Sequence, residues 1–454
     1  MSEHPQDLSL REQAEAVATG ALDATELLEA TVARIEERDG RINSIPDCFP
    51  AEAAGMLAEA PEGPLHGVPI AIKDQFALPW RAPRDGAFKT PSGVGPGESG
   101  VFRRLRDAGA VIVGVTNMHE FGLGSTGHIS IYGPCANPWD RTRCAGGSSG
   151  GSAAAVSARL VAGAVGTDGG GSIRFPAAYC GLTGIKFTWG TLPTDGFTLA
   201  GHSVTEPGPI CRDAADARLL GEALCMTPLD SRSVNGLRIG VPRAQLWNDL
   251  DPEVERACTM ALDVLRDAGA DVIELSLDGV EHAVIAAVLP LSLEMLPATK
   301  PQAAAEIAPH LSTLIRALTK AQLLMPAVAS VKAERVRAQI RRSVAREFEN
   351  ADVLAWPSIP APAPPIEDPT VTLPSGSHPA DYANVRLGGI ANLTGLPAIS
   401  VPCGFSGQGL PLGLQLLAPW GEDARLLDFA ERFEEATDRR FVEAAPQLAQ
   451  EAPA

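Results

Sequence analysis

Residues 1–60 carry apolar positions at helical spacing. Residues 8–18 read as a short amphipathic helix, and Asp23 opens a second through an Asp-Ala-Thr-Glu start that places Leu27, Leu28, Val32 and Ile35 on one face. Past the loop at 61–67 the pattern changes to short, continuous apolar runs. Residues 68–72, 110–115, 161–167 and 184–187 read as buried strands, with helices at 102–108 and 152–160 between them. This alternation predicts an α/β fold, a mixed central β-sheet covered by helices on both faces.

Farther along, 237–241 reads as a strand, 252–268 as a helix and 271–275 as a strand. From 280 to 349 the chain is rich in Ala and Leu and reads as a helical cover, broken near Pro290, Pro297, Pro301, Pro309 and Pro326. The Pro-rich stretch 357–379 reads as a surface loop. Residues 396–402 and 412–417 return to strand-like sequence around a Gly-Gln-Gly turn, a helix at 423–437 closes the fold, and the last dozen residues read as a frayed tail. The expected organisation is one domain over 1–454: N-terminal helices at 1–60, a core with the candidate chemistry at 60–220, a variable and mostly helical cover at 225–380, and a C-terminal return to the core at 381–440.

Composition narrows the function classes. With 45% hydrophobic and 20% charged residues, 454 residues can bury a large core, which excludes a disordered chain. A net charge of −18 argues against a nucleic-acid or anionic-membrane surface, both of which need a basic face. No apolar run reaches membrane-spanning length, and the first residues, Met-Ser-Glu-His-Pro-Gln-Asp, do not read as a signal peptide. Cys48, Cys135, Cys144, Cys180, Cys211, Cys225, Cys258 and Cys403 form no CxxC pair and read as reduced thiols of a cytoplasmic protein. Without HExxH or paired histidines at helical spacing, no metal site is expected.

The chemistry concentrates in three places. Lys73 ends the apolar run from Val68 to Ile72. Ser148 and Ser149 sit between glycine pairs in Gly146-Gly147-Ser148-Ser149-Gly150-Gly151. Ser172 follows Gly169-Gly170-Gly171. Cleaving an amide needs a nucleophile, a base, an acid for the leaving nitrogen and donors for the oxyanion. Ser172 can attack, and glycine backbone can present N–H groups to the carbonyl. A lysine on an apolar strand can be driven neutral by burial, and a hydroxyl such as Ser148 both donates and accepts a proton. Three other readings exist for the glycine-serine run. A flexible linker conflicts with its regular apolar flanks. A phosphate-cradling turn would want Gly-Lys-Ser/Thr or GxGxxG. Gly146-Gly147-Ser148-Ser149-Gly150 also fits GxSxG, which requires an acid and then a histidine downstream; His202, His282, His310 and His378 are present, none in a supporting motif.

The sequence resembles the amidase signature family. The resemblance rests on 67–74, 146–152 and Gly166-Thr167-Asp168-Gly169-Gly170-Gly171-Ser172-Ile173-Arg174-Phe175-Pro176, supported by 117–121, 181–186 and 395–402. It implies a Ser–cis-Ser–Lys triad with Ser172 as nucleophile, Ser148 as the bridging serine after a cis peptide bond, and Lys73 as base. It further implies an oxyanion hole from the backbone of Gly169, Gly170, Gly171 and Ser172, with Ser149, Asp168 and Arg174 in support. Glycine at 169 departs from the larger residue common in the family and should loosen the loop or widen the pocket. Phe175 stands where the tRNA-dependent amidotransferase A subunits usually carry glutamine, and 203–209 lacks the usual Ser-Leu-Asp start.

These departures favour a stand-alone serine hydrolase, and the apolar candidates for the pocket wall favour neutral, hydrophobic amides, anilides or carbamates among the substrates that the family covers. Such a hydrolase would form an acyl-enzyme on Ser172, need no metal or organic cofactor, and act as a monomer or homodimer on a small molecule. The alternative is an amidotransferase A-type glutaminase that delivers ammonia to a partner. The pocket wall is expected from 118–133, 191–202 and the 280–380 cover, with Phe121, Ile129, Ile131, Tyr132, Phe175, Phe197 and Leu199 as apolar candidates.

Overall fold

The computed structural model describes residues 4–88, 94–198, 201–231, 236–294 and 308–450. Along the chain run β1 (Asp47–Cys48), β2 (Pro69–Lys73), β3 (Val111–Thr116), β4 (Ala136–Asn137), β5 (Asp140–Cys144), β6 (Gly163–Asp168), β7 (Thr183–Lys186) and β8 (Glu206–Cys211). They are followed by β9 (Arg238–Val241), β10 (Asp271–Glu274), β11 (Val353–Pro357), β12 (Thr370–Leu373), β13 (Gly376–Pro379), β14 (Ala398–Phe405) and β15 (Pro411–Leu417). One 11-stranded sheet has the order β1-β3-β2-β6-β8-β7-β14-β15-β11-β9-β10. β2 is parallel to β3 and β6, and β9 is parallel to β10 and β11. The remaining neighbours are antiparallel.

The sheet is mixed and covered by helices on both faces, as the alternating pattern predicted. Every residue of β2, β3, β6, β7, β8 and β15 is buried, and β2, β3 and β6 accordingly read as mostly continuous apolar or small-residue runs rather than as alternation. Two short helices, Gly150–Ser157 and Arg174–Cys180, are buried along their whole length. Small side chains permit that in the first of them: a Cβ at Gly151 would lie 2.4 Å from the Asn117 nitrogen. Over the C-terminal part, helices Ala283–Leu293, Thr313–Leu324 and Ala327–Glu347 form the cover, and Ala380–Thr394 packs against the first and third of them. No described helix is long and apolar enough to cross a membrane.

Several expectations need correction. β8 went unrecognised because Pro207, Gly208 and Pro209 make a strand look like a turn; it lies between β6 and β7. The stretch 357–379 is not a surface loop. Residues 358–361 are buried, Ser358 shares a 2.7 Å hydrogen bond with Ser400, and β12 and β13 form a hairpin. Proline has no N–H to satisfy, so a Pro-rich segment can be buried with few partners. Pro290 lies inside helix Ala283–Leu293 rather than at a break; Pro297 and Pro301 fall outside the described residues. At the C-terminus, helix Gln447–Gln450 buries Leu448 and Ala449, so this part of the tail is packed.

Leu416, fully buried in β15 between β14 and β11, tests the core. Leu416→Ala should destabilise the protein by about 2–5 kcal/mol, read as a lower urea midpoint at unchanged slope.

Candidate active site

β2 and β6 are parallel neighbours in a register that pairs Ile72 with Val165, so their C-terminal ends emerge side by side. Lys73 closes β2 and Asp168 closes β6. The carboxyl ends of parallel strands are where open α/β sheets hold their ligands. From β6 the chain turns through Gly169–Gly171 into helix Arg174–Cys180, and Ser172 sits on that turn. Ser148 sits just before helix Gly150–Ser157, after a cis Gly147–Ser148 peptide bond. Ser149 stitches the two serine loops together. Its backbone N–H donates to the Ser172 carbonyl at 3.2 Å, while its hydroxyl donates to the Thr167 carbonyl at 3.1 Å and accepts from the Thr167 N–H at 3.2 Å.

Lys73 is fully buried, and its Nζ lies 2.7 Å from Ser148 Oγ and 2.8 Å from Thr167 Oγ1. Burial pulls its pKa down to about 7, against the opposing charges of Asp168 and Asp85. The orientation of this amine is set by a chain of hydrogen bonds. Gln75 Nε2 donates to the Thr198 carbonyl at 2.6 Å, which turns Gln75 Oε1 toward Thr167. The Thr167 hydroxyl therefore donates to Gln75 and can only accept from Lys73. A neutral Lys73 that donates one N–H to Thr167 has its lone pair left for the Ser148 proton. Thr167 and Gln75 lie within or beside the quoted motifs, but only their contacts reveal this part.

Behind the serine turn, Arg174 and Asp168 form a fully buried ion pair with Nε–Oδ2 and Nη2–Oδ1 distances of 3.0 Å. The pair is anchored to distant segments: Arg174 also donates to Gln415 Oε1, the Gly388 carbonyl and Asn392 Oδ1, and Asn392 Nδ2 donates to Asp168. Burial alone would raise the Asp168 pKa; the Arg174 charge and these hydrogen bonds win and hold it at about 2. Asp168 Oδ1 also accepts the Gly171 N–H at 2.6 Å. That N–H is thus turned to the interior, which removes Gly171 from the expected oxyanion donors. Gly169, Gly170 and Ser172 line the adjoining cavity. Gly171 has φ +120, and a Cβ there would lie 2.1 Å from Phe175 Cζ; both facts require glycine.

The cavity has a volume of about 240 Å³. Its walls come from the 122–125 loop, the Ser172 turn with Phe175, and cover residues Val284, Val288, Leu291, Leu314, Leu318, Asp381, Tyr382 and Val385. Ser148 approaches from behind Gly122, where a Cβ would lie 3.5 Å from its Oγ. Of the expected pocket residues, Phe175 lines this cavity. Phe121 is buried in a cluster with Leu123, Leu311 and Ile315. Ile129 and Ile131 face a separate cleft with His310. The Tyr132 hydroxyl donates to Asp74 and accepts from Arg81. Phe197 packs on Phe76 in the core. Leu199 is outside the described residues. Glycine at 169 does not widen the pocket, because a Cβ there would lie 2.6 Å from Thr205 Oγ1 and 2.9 Å from Leu291 Cδ2. None of His202, His282, His310 and His378 lines the cavity, so the GxSxG reading lacks its base. No group of three described His, Cys, Asp or Glu side chains could hold a metal ion.

Ser148 is thus held against a buried amine, and Ser172 stands on the neighbouring glycine turn. The chain belongs to the amidase signature family: the Amidase family profile matches residues 26–427. It is thus an enzyme of amide C–N bonds. It is 36% identical to the A subunit of the glutamyl-tRNA(Gln) amidotransferase from Chromohalobacter salexigens, over 95% of this chain and 97% of that one. A crystal structure described as an amidase superposes with a TM-score of 0.89 at 32% identity, over 94% of this chain and 99% of the other. A 6-aminohexanoate cyclic dimer hydrolase, complexed with substrate, gives 0.86 at 26% identity over 98% and 99%.

Removing Arg174 would leave the buried Asp168 charge unpaired. Arg174→Met should cost about 3–5 kcal/mol of stability, measured by urea denaturation.

Proposed function

We propose that this chain is a stand-alone hydrolase of linear amides, anilides or carbamates with apolar substituents, acting through an acyl-enzyme on Ser172. The observation that carries the reading is the 2.7 Å contact between buried Lys73 and Ser148, beside a largely apolar cavity that exposes Ser172. Neutral Lys73 takes the Ser148 proton while Ser148 takes the Ser172 proton, and Ser172 Oγ attacks the substrate carbonyl carbon. Backbone N–H groups among Gly169, Gly170 and Ser172 receive the oxyanion. The C–N bond then breaks, and the proton returns from Lys73 through Ser148 to the leaving nitrogen. Water adds to the acyl-enzyme by the same relay and releases the acid. Every proton in this cycle moves between Ser172, Ser148, Lys73, substrate and water, so no metal or organic cofactor is called for.

The glutaminase alternative draws on the amidotransferase relative. Against it, no described lysine, arginine or histidine lines the cavity, whereas the α-carboxylate of glutamine calls for a cation or several strong donors. Glutaminase activity that appears only with amidotransferase partner proteins would favour that alternative. We further propose a cytoplasmic monomer or homodimer, in keeping with eight free thiols.

The test is 4-nitroaniline release from acyl anilides between pH 6 and 10. Because Lys73 must be neutral to accept a proton, kcat/KM should fall about tenfold per pH unit below 7 and level off above about 8. Ser172→Ala should lose at least about 10³-fold and Lys73→Ala at least about 10²-fold. Anilide cleavage that survives Lys73→Ala would overturn the assignment.

A further inference from the structure

One wall residue does not fit an apolar pocket. Asp381, in the first turn of helix Ala380–Thr394, is the only carboxylate lining the cavity that Ser172 opens into, among the described residues. Taking a carboxylate partly out of water is unfavourable unless a partner compensates it. Its two hydrogen bonds both land on Oδ1, from the Ser125 N–H at 2.5 Å and the Ser125 hydroxyl at 2.8 Å. No described lysine or arginine lies within ion-pair range of it. The titratable groups that feel its charge are His119, His128, Cys144 and Tyr179, and burial together with that charge keeps the Cys144 thiol and the Tyr179 phenol neutral by raising their pKa values. Burial lowers the pKa values of both histidines, His119 to about 4, although the Asp381 charge pulls them upward. Neither imidazole is a cation at neutral pH.

The carboxylate is also held in place. Tyr179 donates to Asn384 Oδ1 at 3.1 Å, Asn384 Nδ2 donates to Ser125 Oγ at 2.9 Å, and Ser125 completes the chain to Asp381. Oδ2 is left for a ligand. Two aromatic rings, Phe175 and Tyr382, line the same cavity, and ring faces attract cations. A rigid carboxylate with one open oxygen, aromatic neighbours and apolar walls is a receptor for an amine at the end of a hydrophobic chain.

We propose that Asp381 determines specificity by pairing with an ammonium group on the substrate, so that the enzyme prefers amides whose apolar body ends in a protonated amine. This rests on the hydrolase reading above and adds the substrate class to it. The ammonium would donate to Asp381 Oδ2 while the scissile carbonyl lies at Ser172.

The test compares two series of 4-nitroanilides at neutral pH, ω-aminoacyl chains of three to six methylenes and methyl-ended chains of matching length. Wild type should favour the amine-ended member by tenfold or more in kcat/KM for at least one length, as one charge-assisted contact allows. Asp381→Asn keeps an acceptor for Ser125 but removes the charge, and should bring that ratio close to one. A ratio near one in wild type at every length overturns the proposal. So does a ratio that persists in Asp381→Asn while both series slow equally, since the residue would then only tether the 122–125 loop. Ser172-dependent cleavage of methyl-ended substrates tests the hydrolase reading separately. If no anilide is cleaved, thermal shifts with n-hexylammonium and 1-hexanol still decide: stabilisation by the ammonium alone, lost in Asp381→Asn, supports the proposal, and equal effects of the two overturn it.

Discussion

A lysine side chain with no access to water is the constraint on which the site depends. An ammonium in that position is poorly solvated, and burial brings Lys73 to the edge of neutrality. The same burial that weakens it as a cation makes it usable as a base. Its two hydroxyl neighbours do different work. Thr167, its own proton committed to Gln75, accepts one N–H, and Ser148 stands where its proton can meet the lone pair. Replacing these hydroxyls with water would give the amine back its solvation and raise its pKa. The dry surroundings supplied by β2, β3 and β6 are therefore part of the chemistry.

Close behind lies a second buried charge with the opposite logic. Asp168 stays ionised because Arg174 and Asn392 compensate it, and it uses that charge to hold the Gly171 N–H and shape the Ser172 turn. The pair is anchored from far along the chain: Arg174 donates to Gln415 on β15 and to Gly388 and Asn392 on helix Ala380–Thr394, and Asn392 also donates to Asp168. A site whose three principal motifs lie between residues 67 and 176 thus relies for its geometry on the C-terminal quarter as well. The cost of leaving either member of this pair alone makes the closing segments as necessary to the serine turn as the residues next to it.

The cover brings selectivity rather than reactivity. Leu291 fills the space that a larger side chain at 169 would occupy. Val284, Val288, Leu314 and Leu318 supply apolar wall, and helix Ala380–Thr394 contributes Asp381 to it. The reactive side chains stand at strand ends and glycine turns, and helix Ala380–Thr394 serves both parts: Asp381 lines the cavity, while Gly388 and Asn392 hold Arg174.

The sequence was most informative where a local pattern has one physical solution. Continuous apolar runs became buried strands, and the glycine turns with Lys73, Ser148 and Ser172 came together at the ends of β2 and β6. It misled where composition and environment disagree. Prolines hid β8 and the buried 357–361 segment, because a residue without an N–H looks like a turn former yet suits a backbone with few partners. Aromatic residues near the motifs read as pocket wall, yet Phe121 packs behind Leu123, while Tyr132 joins a polar network and Phe197 the core. By itself the sequence determined the sheet-and-helix class and marked Lys73, Ser148 and Ser172 as the groups to bring together, since periodicity and short glycine-serine motifs are local properties. Tertiary structure alone decided that Gly171 faces inward, that Thr167 and Gln75 orient the lysine, and that Asp381 shares a cavity with Ser172. Each of those depends on contacts between segments tens to hundreds of residues apart or on the direction in which one N–H points, and neither is encoded in the spacing of residues along the chain.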